Sequence, residues 1–340
     1  MRLTRREWMR RSAAAVCLGR PGVLQGIPSS DSTIETVLGP VSIDGLGPTL
    51  THEHVLVDFV GADRVTAARY DAETVFDRVR PHLERVRAAD CRTITECTPA
   101  WLGRDPRLLQ RLSKATGITL LTNTGIYGAA KDKFVPAHAW KRSAEELARD
   151  WIREARDGIE DTGIKPAFMK IGVDDGPLSE IDAKLVRAAA ITHRATGLPI
   201  ASHTTDGDAA IAQLDLLRSL DVPPSAFIWV HAHAEKRREL HVQAASRGAW
   251  IEFDGVADDS IELHVELVRQ MRDKRFLTQV LVSQDAGWYH VGEPDGGVFR
   301  PYTTLFERFL PALRKVGFSD RDERQLLVIN PRSALRRRDL

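Results

Sequence analysis

The feature that most restricts how this chain can fold is the repeated alternation of short apolar runs with longer helical segments. From Thr49 onward, runs rich in β-branched residues are followed by stretches of helical period. The eight predicted strands are Thr49–Leu56, Thr93–Cys97, Thr119–Asn123, Ala167–Ile171, Ile200–His203, Ile228–His231, Trp250–Asp254 and Gln279–Ser283. Eight successive strand and helix units predict an α/β fold, the parallel (β/α)8 or TIM barrel.

Shorter segments flank the predicted barrel on both sides. The runs Ile34–Leu38 and Val41–Ile43, joined through Gly39-Pro40, predict a β-hairpin before the first barrel strand. A helical segment is expected at the C-terminus, after the last strand. The sequence therefore predicts a single barrel domain over residues 33–340, with residues 1–32 outside the fold.

The first 32 residues have the character of a targeting segment. The pair Arg5-Arg6 precedes a small apolar stretch, Ser12–Gly19, and together they resemble a twin-arginine export signal. This resemblance implies export to the periplasm or the extracellular space. The alternative is a frayed basic tail, and the protein would then stay in the cytoplasm.

Charge and composition restrict the class of partner. The chain carries 48 Lys and Arg against 47 Asp and Glu, a net charge of +1, which is too balanced for general nucleic-acid binding. A run of about 18 apolar residues is absent, so no membrane-spanning segment is predicted. A small-molecule substrate is the expected partner, and a homodimer is an open alternative.

Metal-binding side chains occur at the predicted carboxyl ends of strands, where barrels of this kind carry their functional residues. Strand one contains His52 and His54, which its period of two places on the same inward face. Strand four carries Lys170 among apolar neighbours, and a buried ammonium group needs a partner or a chemical change. Further candidates end strands five, six and eight, and they are His203, His231 and Asp285.

With these residues in order, the chain resembles the phosphotriesterase family of the amidohydrolase superfamily, phosphotriesterase-like lactonases included. The similarity runs from about Thr33 to Leu335 and includes the segments around His54, His203 and Asn330-Pro331-Arg332. The resemblance implies a hydrolase with two divalent metal ions. It implies that the more buried ion is held by His52, His54 and Asp285, the more exposed ion by His203 and His231, and that carboxylated Lys170 bridges both.

The expected chemistry follows from such a centre. Zinc suits these ligands, and cobalt, manganese and iron accept similar ones. A carbamate on Lys170 would replace a buried cation by an anionic ligand with two oxygens. Two ions can jointly lower the pKa of a bridging water and polarise the bond under attack. The resulting bridging hydroxide would cleave a lactone, carboxylic ester or phosphoester, with Asp285 as both metal ligand and proton acceptor.

The sequence restricts the class of substrate less than it restricts the metal ligands. Tyr127, at the end of strand three, resembles the tyrosine that contacts the substrate oxygen in lactonase members of the family, and the alternative is a packing aromatic. The segment Glu252–Val256 lacks both the arginine of several lactonases and the histidine of organophosphate hydrolases. Two other classes stay open, namely a barrel aldolase with Lys170 as Schiff base and a non-catalytic metal- or ligand-binding barrel.

The sequence also predicts the roles of three features near the candidate ligands. His231 is preferred to His233 as a ligand because His231 ends the apolar run of strand six. Glu53 faces away from the two histidines of strand one and is predicted to be structural. The long loop Ala286–Arg300, rich in glycine and aromatic residues, is predicted to cover the metals and shape the leaving-group pocket.

Overall fold

Parallel strands connected by helices make up most of residues 33–338, the part of the chain that our computed structural model describes. The predicted export signal and its arginine pair lie outside these residues. The strands are β1 Thr33–Thr36, β2 Gly39–Ser42, β3 Thr49–Val57, β4 Thr93–Glu96, β5 Thr119–Leu121, β6 Asn123–Thr124, β7 Phe168–Gly172, β8 Ile200–His203, β9 Phe227–Val230, β10 Trp250–Phe253, β11 Val280–Val282 and β12 Gly287–His290. Each of the eight predicted barrel strands overlaps an observed strand.

Two parallel sheets contain the strands from β3 to β12. One sheet has the order β11-β10-β9-β8-β7-β6, and the other has the order β12-β3-β4-β5. Only Thr122 separates β5 from β6. Just after β11, the Asp285 amide donates to the carbonyl of His52 on β3 over 3.1 Å. The described chain is thus mixed α/β, with parallel strands that follow one another in chain order except that β12 lies beside β3.

Helices separate most of the successive strands. They are α1 Ala72–Ala88, α2 Pro106–Thr116, α3 Ala137–Lys141, α4 Ala144–Asp157, α5 Glu180–Thr196, α6 Gly207–Ser219, α7 Arg238–Ser246, α8 Ile261–Asp273, α9 Leu310–Lys315, α10 Asp320–Arg324 and α11 Asn330–Leu335. Local sequence determines several of their starts, since Ser143 and Ser179 form capping boxes with Glu146 and Asp182. The predicted C-terminal helical segment is confirmed by α10 and α11.

Two π-helical turns interrupt the C-terminal helices, at Leu305–Phe309 and Gln325–Ile329. Each ends two residues before a proline, Pro311 in α9 and Pro331 in α11. Proline has no amide hydrogen, and its ring crowds the carbonyl four residues earlier. A wider turn before each proline accommodates both effects, which explains why the helix continues rather than breaks.

The N-terminal hairpin forms, but its turn differs from the prediction. β1 pairs with β2 in antiparallel fashion with Thr36 opposite Gly39, so the turn is Val37-Leu38 and the prediction of a turn at Gly39-Pro40 is wrong. The Thr36 hydroxyl closes this turn, since it accepts from the Leu38 amide at 3.1 Å and donates to the Gly39 carbonyl at 2.7 Å. Within residues 33–338, no helix has the length and apolar character that crossing a membrane requires.

Candidate metal centre

All six predicted metal ligands line one cavity of about 320 Å³ at the carboxyl ends of the strands. Tyr127 lines it as well. The cavity is shared by residues from β3, β7 and β8 and from the segments that follow β6, β9 and β11. The parallel arrangement therefore brings together residues that are separated by up to 233 positions in the chain, from His52 to Asp285.

One group of three side chains has the spacing of ligands around a single ion. The Nε2 atoms of His52 and His54 lie 3.2 Å apart, and Oδ1 of Asp285 lies 3.1 Å from His54 Nε2 and 3.7 Å from His52 Nε2. Two ligands of a tetrahedral ion at about 2.0–2.2 Å are roughly 3.3 Å apart. Among the described residues, Asp285 Oδ1 is buried without a hydrogen bond. These three side chains therefore fit a divalent cation.

The Asp254 carboxylate, which the sequence analysis did not assign, lies behind the histidines. Its Oδ2 is 2.6 Å from Nδ1 of His52, and its Oδ1 is 2.9 Å from Nδ1 of His231 and 3.0 Å from Nδ1 of His233. A contact of 2.6 Å is too short for two ligands that share one ion. Asp254 therefore acts as a hydrogen-bond acceptor that orients two rings and leaves their Nε2 atoms free for metal.

His203 and His231 lie together on the more open side of the cavity. Their ring centroids are 4.3 Å apart, and the Tyr127 ring lies 5.0 Å from His203. The backbone at Gly172 permits this approach, because a Cβ there would lie 2.9 Å from the Tyr127 ring and 3.1 Å from the His203 Cβ. His203 and His231 thus lie side by side at the same cavity.

The protonation states suit metal binding. Burial and the nearby Lys170 ammonium lower the pKa of His52 to about 3, and burial together with His231 lowers the pKa of His203 well below its usual value. Both imidazoles are therefore neutral, the form that binds metal ions. Burial alone would raise the pKa of Asp285, but the close contact with His54 and the other neighbouring histidines hold it below its ordinary value.

Lys170 is poorly accommodated as a bare ammonium. Its side chain is 2 % exposed, and no carboxylate within residues 33–338 comes within ion-pairing distance of Nζ. Its charge also lies close enough to two ligand histidines to lower their pKa values. An anionic derivative would remove both conflicts, since it would bind cations between the two groups of histidines. The histidine and carboxylate donors of the cavity thus fit the binding of a divalent metal.

Two supporting predictions can be compared with the structure. The structural role of Glu53 is confirmed, because its buried carboxylate accepts hydrogen bonds from Ser283 Oγ, the Gln284 amide and the Ala286 amide, at 2.8, 3.1 and 2.7 Å. These contacts hold the segment that carries Asp285. The His233 ring packs over Gly255, where a Cβ would lie 2.5 Å from its Nε2, so His233 points away from the cavity.

Aromatic rings form the outer wall of the cavity. Phe59 lies 5.5 Å from Trp288 and 6.1 Å from Phe134, and Phe134 lies 5.9 Å from Tyr127. Trp288 belongs to β12, a strand that the sequence analysis predicted as loop and that pairs in parallel with β3. Its indole lies 5.0 Å from His54. The segment after β11 therefore covers the histidines, as expected, but as a strand anchored by tertiary pairing.

Comparison with known proteins identifies the family. The model of the Phosphotriesterase family matches residues 32–335. The chain belongs to the phosphotriesterase family. A phosphotriesterase homology protein of Escherichia coli (strain K12) is 29% identical over 295 residues, covering 86% of this chain and 98% of the relative.

Two further relatives of this chain differ in their named activities. An aryldialkylphosphatase of Saccharolobus solfataricus is 25% identical over 87% of this chain and 98% of its own length. A phospho-furanose lactonase of Mycoplasmopsis synoviae is 24% identical over 88% of this chain and 90% of its own length. Hydrolysis is thus common to the named activities, while the bond attacked differs.

The first prediction concerns the orienting role of Asp254. Asp254→Asn keeps the side-chain shape but leaves a single oxygen for the rings of His52 and His231, so we expect metal affinity to fall by roughly 10- to 100-fold. Equilibrium dialysis against chelator-buffered zinc, followed by elemental analysis, measures this change. The exposed Asp258→Asn variant is the matched control. Zinc binding by Asp254→Asn with the stoichiometry and affinity of the wild type would show that these hydrogen bonds do not orient the ligands.

Proposed function

We propose that this protein is a metal-dependent ester hydrolase with a binuclear centre on a (β/α)8 barrel. The observation that carries the proposal is the convergence of all six predicted ligands on one cavity, with the buried Asp285 oxygen directed at two histidine nitrogens. Zinc is the preferred metal because imidazole and carboxylate ligands suit it.

The residues have distinct roles towards the metals. His52, His54 and Asp285 would hold one ion, His203 and His231 the other, and carboxylated Lys170 would contact both. When bound, two divalent ions polarise the scissile bond and lower the pKa of water. Asp254 keeps two of the imidazoles in the tautomer and orientation that this binding requires.

Two further side chains have roles in the reaction: Asp285 accepts a proton, and Tyr127 contacts the substrate. Asp285 is one-fifth exposed towards the cavity, and its low pKa keeps it ionised near neutral pH, so it can accept a proton from an attacking water. Burial raises the pKa of Tyr127, so its hydroxyl stays protonated. No hydrogen-bond partner for that hydroxyl is found within residues 33–338. Tyr127 can therefore donate to a substrate oxygen.

The substrate is proposed as a lactone, a carboxylic ester or a phosphoester. Relatives named aryldialkylphosphatase and phospho-furanose lactonase support both phosphorus and carbonyl centres. Tyr127, which lies beside His203, resembles the substrate-contacting tyrosine of lactonase members, and this resemblance favours the lactone. The aromatic outer wall suits a substrate with an apolar portion.

Two measurements on the purified protein test the proposal. Elemental analysis after dialysis is expected to find about two divalent ions per chain, and a panel of lactones, aryl esters and phosphotriesters is expected to show turnover that chelation abolishes. Absence of metal, or full activity with one retained ion, would contradict the binuclear centre. Metal binding without turnover on any class would favour a non-catalytic barrel instead.

A further inference from the structure

A short left-handed turn borders the cavity at its mouth. Ala130, Lys131 and Asp132 follow one another with φ values of 61°, 56° and 58°. Three successive residues with side chains in this conformation are energetically unfavourable, because each Cβ crowds the following carbonyl. Such strain persists where the surrounding structure holds it, and it is found at ligand sites.

Contacts on both sides hold this turn in place. The Lys131 amide donates to the Asp174 carboxylate, on the loop after β7, at 3.0 and 3.2 Å. The carbonyl of Lys133 accepts from the Ala62 amide, on the loop after β3, at 3.1 Å. The turn is thus tied to two different loops, by Lys131 on one side and by Lys133 on the other.

The Lys133 side chain differs in charge from most residues that line the cavity. Besides Lys170, it is the one lysine or arginine that lines the cavity within residues 33–338. Its Nζ lies 5.6 Å from the centre of the Phe134 ring, and no carboxylate of the described chain pairs with it. The wall around it carries the aromatic rings of Phe59, Tyr127 and Trp288, so the exposed Lys133 ammonium can pair with an anionic group on a bound molecule.

We infer that Lys133 recognises an anionic substituent of the substrate, a carboxylate or a phosphate, remote from the bond that is cleaved. This inference rests on the proposed function and names its substrate class. An ammonium group attracts an anion as a point charge, while the aromatic rings contact the apolar part that joins the anion to the ester or lactone. The substrate is then an anionic lactone or ester, and Lys133 is a specificity determinant.

Turnover of matched lactones tests the inference. The series consists of γ-butyrolactones that carry a methyl, a carboxylate or a phosphooxymethyl group at C5. Comparing the three distinguishes a carboxylate from a phosphate and both anions from a neutral substituent. We expect Lys133→Met to lower kcat/KM for the preferred anionic lactone by about tenfold or more, mainly through KM, and to leave the methyl lactone within about twofold. The matched control is Lys131→Met, in the same turn but outside the cavity wall.

Binding of inert acids gives a readout independent of turnover. In calorimetric titration of the metal-loaded protein, we expect glutarate or adipate to bind about tenfold more tightly than pentanoate or hexanoate. Lys133→Met should lose this preference and Lys131→Met should keep it. An equal preference in both variants, or none in the wild type, would overturn the role of Lys133. If the wild-type protein turns over none of the lactones but still prefers the dicarboxylates, only the proposed function is contradicted.

Discussion

Lys170→Ala is expected to lose most of its bound metal and nearly all of its activity. The carboxylated side chain would be the one ligand shared by both ions, so its removal affects the whole centre. We expect metal affinity to fall by more than the roughly 10- to 100-fold seen when an outer partner of a metal site is removed. Elemental analysis and turnover of the best substrate measure both losses. Added bicarbonate or a short carboxylic acid should partly restore them, because an external anion can bridge the ions.

Controls separate this effect from misfolding. Lys170→Met keeps the buried volume filled, and circular dichroism should show both variants folded. Lys165→Ala, on the segment leading into β7, should retain metal and activity. If borohydride in the presence of a carbonyl substrate traps Lys170 covalently, the residue acts as a Schiff-base amine and the aldolase alternative is correct.

Asp285→Asn is expected to lower kcat by roughly 10²-fold or more, the usual contribution of a general base. The amide keeps the shape of the side chain and can still offer one oxygen to a metal, but it cannot accept a proton. We therefore expect metal content to fall only in part while turnover falls severely. Steady-state kinetics across pH, combined with elemental analysis of the same sample, distinguishes the two effects.

The loop after β12 offers a matched control for this variant. Asp295 is exposed and has a φ of 53°, a conformation that asparagine also tolerates, so Asp295→Asn makes the same change of charge away from the cavity. It should keep wild-type kcat. Near-wild-type turnover of Asp285→Asn across the pH range would show that the proton leaves by another route, and His233, which contacts Asp254, would be the next residue to test.

The sequence by itself determined the order of strands and the ligand candidates at their ends. This succeeded because both signals are local. Apolar runs of β-branched residues mark each strand, and a period of two places His52 and His54 on one face. Once the strands are parallel, their carboxyl ends share one side of the sheet, so His203, His231 and Asp285 could be grouped without knowing any distance.

Contacts between distant segments were decided by the tertiary structure alone. The pattern around Asp254 is that of an ordinary strand end, yet the pairing of β10 with its neighbours places its carboxylate between His52 and His231, 202 and 23 residues away. In the same way, β12 is a strand because its backbone pairs with β3, although its sequence does not alternate. Register and packing determine such contacts, and neither can be read from local periodicity.

For the same reason, the metal-ligand candidates could be recognised in the sequence, whereas the residues of the cavity wall could not. Metal chemistry selects a few residue types, so histidines and carboxylates at strand ends stand out in the sequence. A lysine such as Lys133 in a polar loop is chemically ordinary, and only the left-handed turn that holds it beside Phe134 gives it a place in the cavity. The sequence thus determined which residues could bind metal, and loop conformation decided which side chains face the substrate.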